Sequence, residues 1–308
     1  GALVVSRHGC APAMASWQEL QTFLAGSWPH RLRECAALEQ VHWSTNRHGE
    51  GAELTVLAID HRSQFDDLVA ELGTGDDERV ARFKGLALKA VDRLARGDRR
   101  YGVLLDGRFG ARALEAAADL PYWIGRPIEV PGSRPIAFEG GPDVAATLRA
   151  WPLNHVVKCL VFYHPDDDAD MKARQDRQIL RLFDACRATR HELLLEIIAS
   201  KHGAVTSDTI ATVIDHVYGL GVYPDWWKLE PASDAATWAA SEAAILRHDP
   251  LCRGIVLLGL SAPQDEMLAG IITAARFELV KGFAVGRTIF HDVAARWLRQ
   301  EIDDVGAV

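Results

Sequence analysis

The chain has no apolar run long enough to span a bilayer and no opening that resembles a signal peptide, so neither a membrane span nor export is expected. Cysteine is scarce. Cys10, Cys35, Cys159, Cys186 and Cys252 are scattered, odd in number and form no CxxC pair. That pattern points to reduced thiols in a cytoplasmic protein and away from a disulfide framework or a zinc site. Basic residues are outnumbered, 34 to 42, the net charge is -8 and no basic run stands out, which argues against nucleic acid as the main partner. An acidic protein can still hold a phosphorylated metabolite at a local anion site. The chain also lacks a Gly-rich turn after its first barrel-like strand, where Asp60-His61-Arg62-Ser63 stands instead. A doubly wound open sheet usually carries one there.

What is present is a large potential core: of 308 residues, 48% are hydrophobic and 25% charged. From residue 54 onward, short aliphatic runs at 54–59, 101–105, 123–127, 155–161, 191–197, 225–229, 254–258 and 279–285 alternate with longer amphipathic stretches. The clearest of these stretches are 78–95, 169–187, 206–218, 234–248 and 264–277. Eight strands each followed by a helix predict an α/β fold of the (β/α)8 TIM-barrel type over residues 51–308. Residues 1–50 form an N-terminal extension outside this pattern. Its residues 2–6 read as a strand, 17–25 as a helix, and 43–51 as a linker. A helix opening near Ala294 is expected to run almost to Val308 and to be short for a closing barrel helix.

Charged residues and glycines gather at the C-terminal ends of the strands, the face on which barrels build active sites. Lys228 lies in the apolar run Asp225-Trp226-Trp227-Lys228-Leu229-Glu230, and Lys158 in Val156-Val157-Lys158-Cys159-Leu160-Val161. Buried strands rarely carry an unpaired ammonium. Strand alternation puts Trp226, Lys228 and Glu230 on the lumen face. Two lysines sharing an enclosed space disfavour each other's protonated form, and a neutral amine is what Schiff-base chemistry requires. Glu196, flanked by aliphatics in Leu193-Leu194-Leu195-Glu196-Ile197-Ile198, either pairs with a lysine or acts as an acid/base with a raised pKa. Asp60, ending the first strand, is placed to hold a substrate hydroxyl or accept its proton. The plainer alternatives are structural ion pairs, Lys228 with Glu230 or Glu196 and Lys158 with Glu196.

Other candidates surround these. Asp106-Gly107-Arg108 follows the second strand, and Arg108 either binds an anion or pairs with Asp106. Gly286 and Arg287, after the eighth strand, sit with Gly259-Leu260-Ser261 where barrels commonly bind phosphate. Arg62, Arg108 and the loop from Glu129 to Ser133 lie at this face too. His61 completes the substrate-binding set. A metal site of Asp60, His61 and Glu196 is a weaker reading, because no HxH or HxxxH spacing supports it.

Taken together, Val157-Lys158-Cys159-Leu160-Val161-Phe162-Tyr163, Leu194-Leu195-Glu196-Ile197, Trp227-Lys228-Leu229-Glu230 and Gly286-Arg287-Thr288 resemble class I tagatose 1,6-bisphosphate aldolases, in the same order. With Asp60-His61-Arg62, Asp106-Gly107-Arg108-Phe109-Gly110, Pro224–Glu230 and Gly282–Phe290 included, residues from about 50 onward are still more similar to the aldolase-like domain fused behind 5-dehydro-2-deoxygluconokinase in bacterial myo-inositol catabolism. The opening residues 1–14 are similar to the extreme C-terminus of the ribokinase-like kinase in that fusion. No kinase anion loop of the GAGD type is present, so sugar phosphorylation is not expected. The resemblance implies a class I aldolase that needs no metal or organic cofactor. It would cleave 2-deoxy-5-keto-D-gluconate 6-phosphate to dihydroxyacetone phosphate and malonate semialdehyde. It also implies roles: Lys228 as the Schiff-base lysine, Lys158 as the second active-site lysine, Glu196 as the lumen carboxylate and Asp60 as the strand-one aspartate. The implied substrate carries a carboxylate at its far end, for which Arg62, Arg108 or the loop from Glu129 to Ser133 is the candidate. A fused or partner sugar kinase and a homo-oligomer are expected, with no nucleic acid or membrane partner. The competing classes are a non-catalytic sugar-phosphate-binding module that regulates or scaffolds a kinase, and a metal-dependent sugar-phosphate isomerase or epimerase.

Overall fold

A computed structural model describes residues 1–28, 31–47, 53–259 and 264–308. Eight parallel strands close on one another in sequence order: β1 (Leu54–Ala58), β2 (Tyr101–Leu104), β3 (Trp123–Pro127), β4 (His155–Phe162), β5 (Leu193–Ile198), β6 (Trp226–Leu229), β7 (Gly254–Leu258) and β8 (Val280–Val285). The chain is therefore a (β/α)8 TIM barrel. Each strand feeds a helix or helical turn that returns along the outside, the right-handed crossover that parallel pairing requires. Among the described residues no helix is long and apolar enough to cross a membrane.

The period-two alternation sorts the strand residues cleanly. Val157, Cys159 and Val161 of β4, Leu193, Leu195 and Ile197 of β5, and Trp227 and Leu229 of β6 face the helices and join one continuous outer core. The opposite faces supply the lumen, where Leu54, Val56, Leu104, Val156, Leu194, Trp226, Val256 and Ala284 form a plug of apolar side chains. The barrel is thus packed solid through its lower layers. Lys158, Glu196 and Lys228 lie on the same inward faces, above that plug, and Glu196 is the direct register partner of Lys228.

The N-terminal segment is helical. Residues 2–6, read as a strand, instead form a helical turn (Ala2–Val5) ended by Ser6, and residues 17–25 form the expected helix (Trp17–Ala25), capped by Ser16 accepting from the Glu19 amide. An isolated strand with no sheet edge to join has no partner for its amides, so the short helical turn wins. A third helix (Ala36–Asn46) covers part of the expected linker and docks on the N-terminal end of the barrel. There Trp43 Nε1 and Arg47 Nη1 donate to Asp225 Oδ1 at 2.7 and 2.8 Å, while Asp225 Oδ2 accepts from the Leu193 amide at 2.9 Å. One carboxylate therefore ties this segment to the feet of β5 and β6. The closing barrel helix starts earlier than expected, at Arg287, and ends at Leu298. A separate turn (Asp304–Ala307) follows a left-handed Gln300. That interruption splits the single helix expected near the end of the chain.

Candidate active site

The C-terminal mouth of the barrel holds a cavity of about 250 Å³. Lys158 from β4, Glu196 from β5 and Lys228 from β6 project into its floor, each no more than 5% exposed. Asp60 and His61 follow β1, Glu129 follows β3, Gly259 follows β7, and Gly286 and Arg287 follow β8; all of them line it. Use of four strand ends is what the topology makes available, because residues one or two positions past a strand lie at the C-terminal mouth of the barrel.

The charges on the floor form one network. Lys158 Nζ contacts Glu196 Oε2 at 2.8 Å, Glu129 Oε1 at 3.0 Å and Asp60 Oδ2 at 3.2 Å. Lys228 Nζ donates to Glu196 Oε1 at 2.8 Å. Glu196 is thus shared by the two lysines, one on each oxygen. Burial works against a charged Lys158, but Asp60, Glu129 and Glu196 together outweigh it and raise its pKa well above the ordinary lysine value. The expectation that neighbouring lysines weaken each other's hold on the proton therefore fails for Lys158: three carboxylates overrule one ammonium. Burial likewise pushes Asp60 upward, yet Lys158, His61, Lys228 and Arg62 hold it well below the usual carboxylate range. Glu196 is also lowered, burial being overcome by Lys158 and Lys228. Of the two readings of Glu196, paired anion or raised-pKa acid, the structure gives the pair. Burial brings His61 down to about 4, against the pull of Asp60 and helped by Arg287, Lys228 and Lys158, so it is neutral at pH 7. Its ring meets Phe290 edge-on, with centroids 5.3 Å apart.

Arg62 is buried, but its guanidinium is occupied. It donates to the Glu129 carbonyl (2.8 Å), to Glu129 Oε1 (3.1 Å) and to Glu139 Oε1 (2.8 Å). Its place is behind Glu129, fixing the β3 loop. Gly286 is the first residue of the turn into the helix Arg287–Leu298, and an added Cβ would fall 1.9 Å from the Ala58 carbonyl oxygen. Only glycine lets this helix start so close to β1, with its free amides at the cavity rim.

Three residues of the expected substrate-binding set lie elsewhere. Asp106 is fully buried, paired with the equally buried Lys84, and accepts from the Phe109 amide at 2.7 Å. Lys84 comes from the helix Asp77–Ala95, where helical periodicity hid its inward direction. Arg108 is exposed and binds Asp66 bidentately at 2.7 and 2.9 Å, outside the cavity. Glu230 turns away from the lumen once β6 ends and accepts from the Ala199 and Ser200 amides at 2.9 and 3.1 Å, closing the β5 loop. Leu260 and Ser261 lie outside the described residues. The cavity also contains residues that strand-end reasoning missed, chiefly Lys201 and Phe162. Lys201 lies three residues beyond β5, too far along the loop for strand alternation to place it.

A larger cavity, about 460 Å³, lies between the N-terminal segment and the opposite end of the barrel. Its Arg7 is already matched by Glu19 and Glu39, and among the described residues no lysine lines it. Among the described residues, no group of three or more His, Cys, Asp or Glu side chains is arranged to hold a metal ion.

Residues 19–308 match the model of a family described as an uncharacterized protein conserved in bacteria, DUF2090. The chain belongs to the DUF2090 family. No curated protein matches it. Among solved structures, this DUF2090 member is similar to fructose-bisphosphate aldolase from Plasmodium falciparum in complex with TRAP and a small-molecule inhibitor (13% identity, 92% of each chain covered, TM-score 0.63). It is also similar to fructose-bisphosphate aldolase from Slackia heliotrinireducens (17% identity, 88% of each chain, TM-score 0.54). A Corynebacterium glutamicum protein matches at 17% identity over 93% of this chain and 99% of that one, with a TM-score of 0.53. At these identities the likeness is one of fold: this DUF2090 chain shares the (β/α)8 barrel with those structures.

Proposed function

We propose that the protein is a Schiff-base aldolase that cleaves 2-deoxy-5-keto-D-gluconate 6-phosphate to dihydroxyacetone phosphate and malonate semialdehyde. The observation that carries this reading is Lys228: an amine on the inner wall, bordering the cavity, whose carboxylate partner is shared with a second lysine. Its Nζ attacks the C5 ketone, and loss of water leaves an iminium. Removing the C3 hydroxyl proton then breaks the C3–C4 bond. The bonding pair passes into the iminium as an enamine and malonate semialdehyde departs. Protonation at C4 and hydrolysis release dihydroxyacetone phosphate and restore the amine.

Glu196 touches Lys228 and is placed to move the protons of imine formation and hydrolysis. Both Glu196 oxygens are held by ammonium groups, whereas the ion pair of Asp60 uses only Oδ2, so Asp60 is assigned the C3 hydroxyl proton. Lys158, kept charged, holds substrate oxygens and the two carboxylates in place. Arg287 and the amides at Gly286 take the phosphate, and this anchoring positions the ketone at Lys228, an effect worth up to roughly 7–11 kcal/mol in well-oriented systems. A fused or partner sugar kinase would supply the 6-phosphate.

The test is borohydride reduction in the presence of dihydroxyacetone phosphate. A mass adduct on Lys228 is expected, and none in Lys228→Ala. A coupled assay should detect dihydroxyacetone phosphate release from the six-carbon substrate, unchanged by EDTA. Loss of all turnover in EDTA would favour a metal-dependent isomerase or epimerase; ligand binding with neither adduct nor turnover would favour a binding module.

A further inference from the structure

Five cationic and three carboxylate side chains line the cavity of an otherwise acidic protein. Lys158 and Lys228 are matched by Asp60, Glu129 and Glu196, and Arg62 by Glu129 and Glu139. Two cations are left over. Arg287 stands after β8 and Lys201 after β5, and among the described residues neither is paired with a carboxylate. Three strand positions separate β5 from β8 around the barrel, so the two unmatched charges lie well apart on the rim, with the Lys228 amine on the β6 wall between them.

Lys201 is presented rather than loose. Its Nζ lies over the Phe162 ring, 5.4 Å from the centroid, a cation–π distance. The same ring also meets His202 in a T-shaped contact, with centroids 5.5 Å apart. The loop beyond is fixed by buried His164, whose Nε2 lies 3.1 Å from the Ala204 carbonyl oxygen. Gly203 packs so close over that imidazole that an added Cβ would sit 2.4 Å from it. Arg62 and Arg108 already have carboxylate partners: Arg62 is paired with Glu129 and Glu139, and Arg108 with Asp66 outside the cavity.

We infer that Lys201 is a specificity-determining residue that binds a carboxylate at the end of the substrate opposite its phosphate, so that the site selects chains carrying an anion at each terminus. A single ammonium suits a monoanion, while the phosphate dianion has both Arg287 and the helix-start amides. The inference rests on the aldolase reading for its substrate, but its test does not need the chemistry. The probes are 6-phosphogluconate and glucitol 6-phosphate, which differ only in a carboxylate against a hydroxymethyl group and carry no ketone to react with Lys228. Calorimetry on the full chain should show 6-phosphogluconate bound roughly tenfold tighter, the scale of one charge-assisted hydrogen bond. Lys201→Ala and Lys201→Gln should bring the two ligands to equal affinity and leave glucitol 6-phosphate unchanged, whereas Arg287→Ala should weaken both. Equal binding of the two by the wild type, no binding of either, or a Lys201 variant that keeps the preference overturns the assignment. The Lys228 adduct with dihydroxyacetone phosphate, which has no second anion, should persist in Lys201→Ala. Its absence from the wild type would instead refute the Schiff-base reading.

Discussion

Replacing Lys158 by methionine, similar in length and uncharged, tests whether one ammonium holds three acids together. The loss is not threefold. Glu196 keeps Lys228 at 2.8 Å and Glu129 keeps Arg62 at 3.1 Å, so Asp60 alone loses its direct partner. Breaking one buried pair costs about 3–5 kcal/mol. At about 2.1 cal/mol/K per residue, unfolding entropy for 308 residues converts this to a fall in Tm of roughly 5–8 °C at pH 7. The sign with pH is distinctive. In the wild type Asp60 is held well below its ordinary range, so its contribution is present above the unfolded value of about 3.9 and is lost as pH falls through the lower folded value. In Lys158→Met the buried Asp60 carboxyl rises instead. The deficit relative to wild type is then full at neutral pH and shrinks as acid protonates the group. Adding Asp60→Asn should recover most of the stability without acid, since the orphaned charge is gone. Differential scanning calorimetry of wild type, single and double variants at pH 7 and pH 5 provides the measurement. A deficit that grows as pH falls, or a double variant no more stable than the single, would refute the reasoning.

Two other outcomes follow from the same geometry. His61, folded near pKa 4 against about 6.5 unfolded, adds no penalty above pH 6.5 but disfavours the fold as pH drops through that window, by about 3 kcal/mol in full; His61→Gln should flatten urea-denaturation stability between pH 7 and pH 4.5 by that order. Lys84→Met, which strands the buried Asp106, should cost about 3–5 kcal/mol, whereas Arg108→Ala on the surface should cost less than about 1 kcal/mol and leave ligand affinity within twofold.

Sequence alone determined the barrel and the floor of its site. Alternation at period two and the spacing of strands and helices are local properties, and they carry Lys158, Glu196 and Lys228 to the inner face without reference to any neighbour. Asp60, Glu129, Gly286 and Arg287 were legible for a related reason: they lie one or two residues beyond a strand, where the chain still follows its direction. Tertiary structure decided the rest, because partner choice is a matter of distance and not of order along the chain. Asp106 looks like a site carboxylate until Lys84 arrives from a helix 22 residues earlier. Arg108 found Asp66, and Glu230 found the amides of a loop 31 residues upstream. The protonation of Lys158 reversed its expected direction because three acids, two following β1 and β3 and one within β5, converge on it. Lys201 became visible only once the tertiary structure brought the β5 loop to the cavity and paired Lys158, Lys228 and Arg62 with carboxylates.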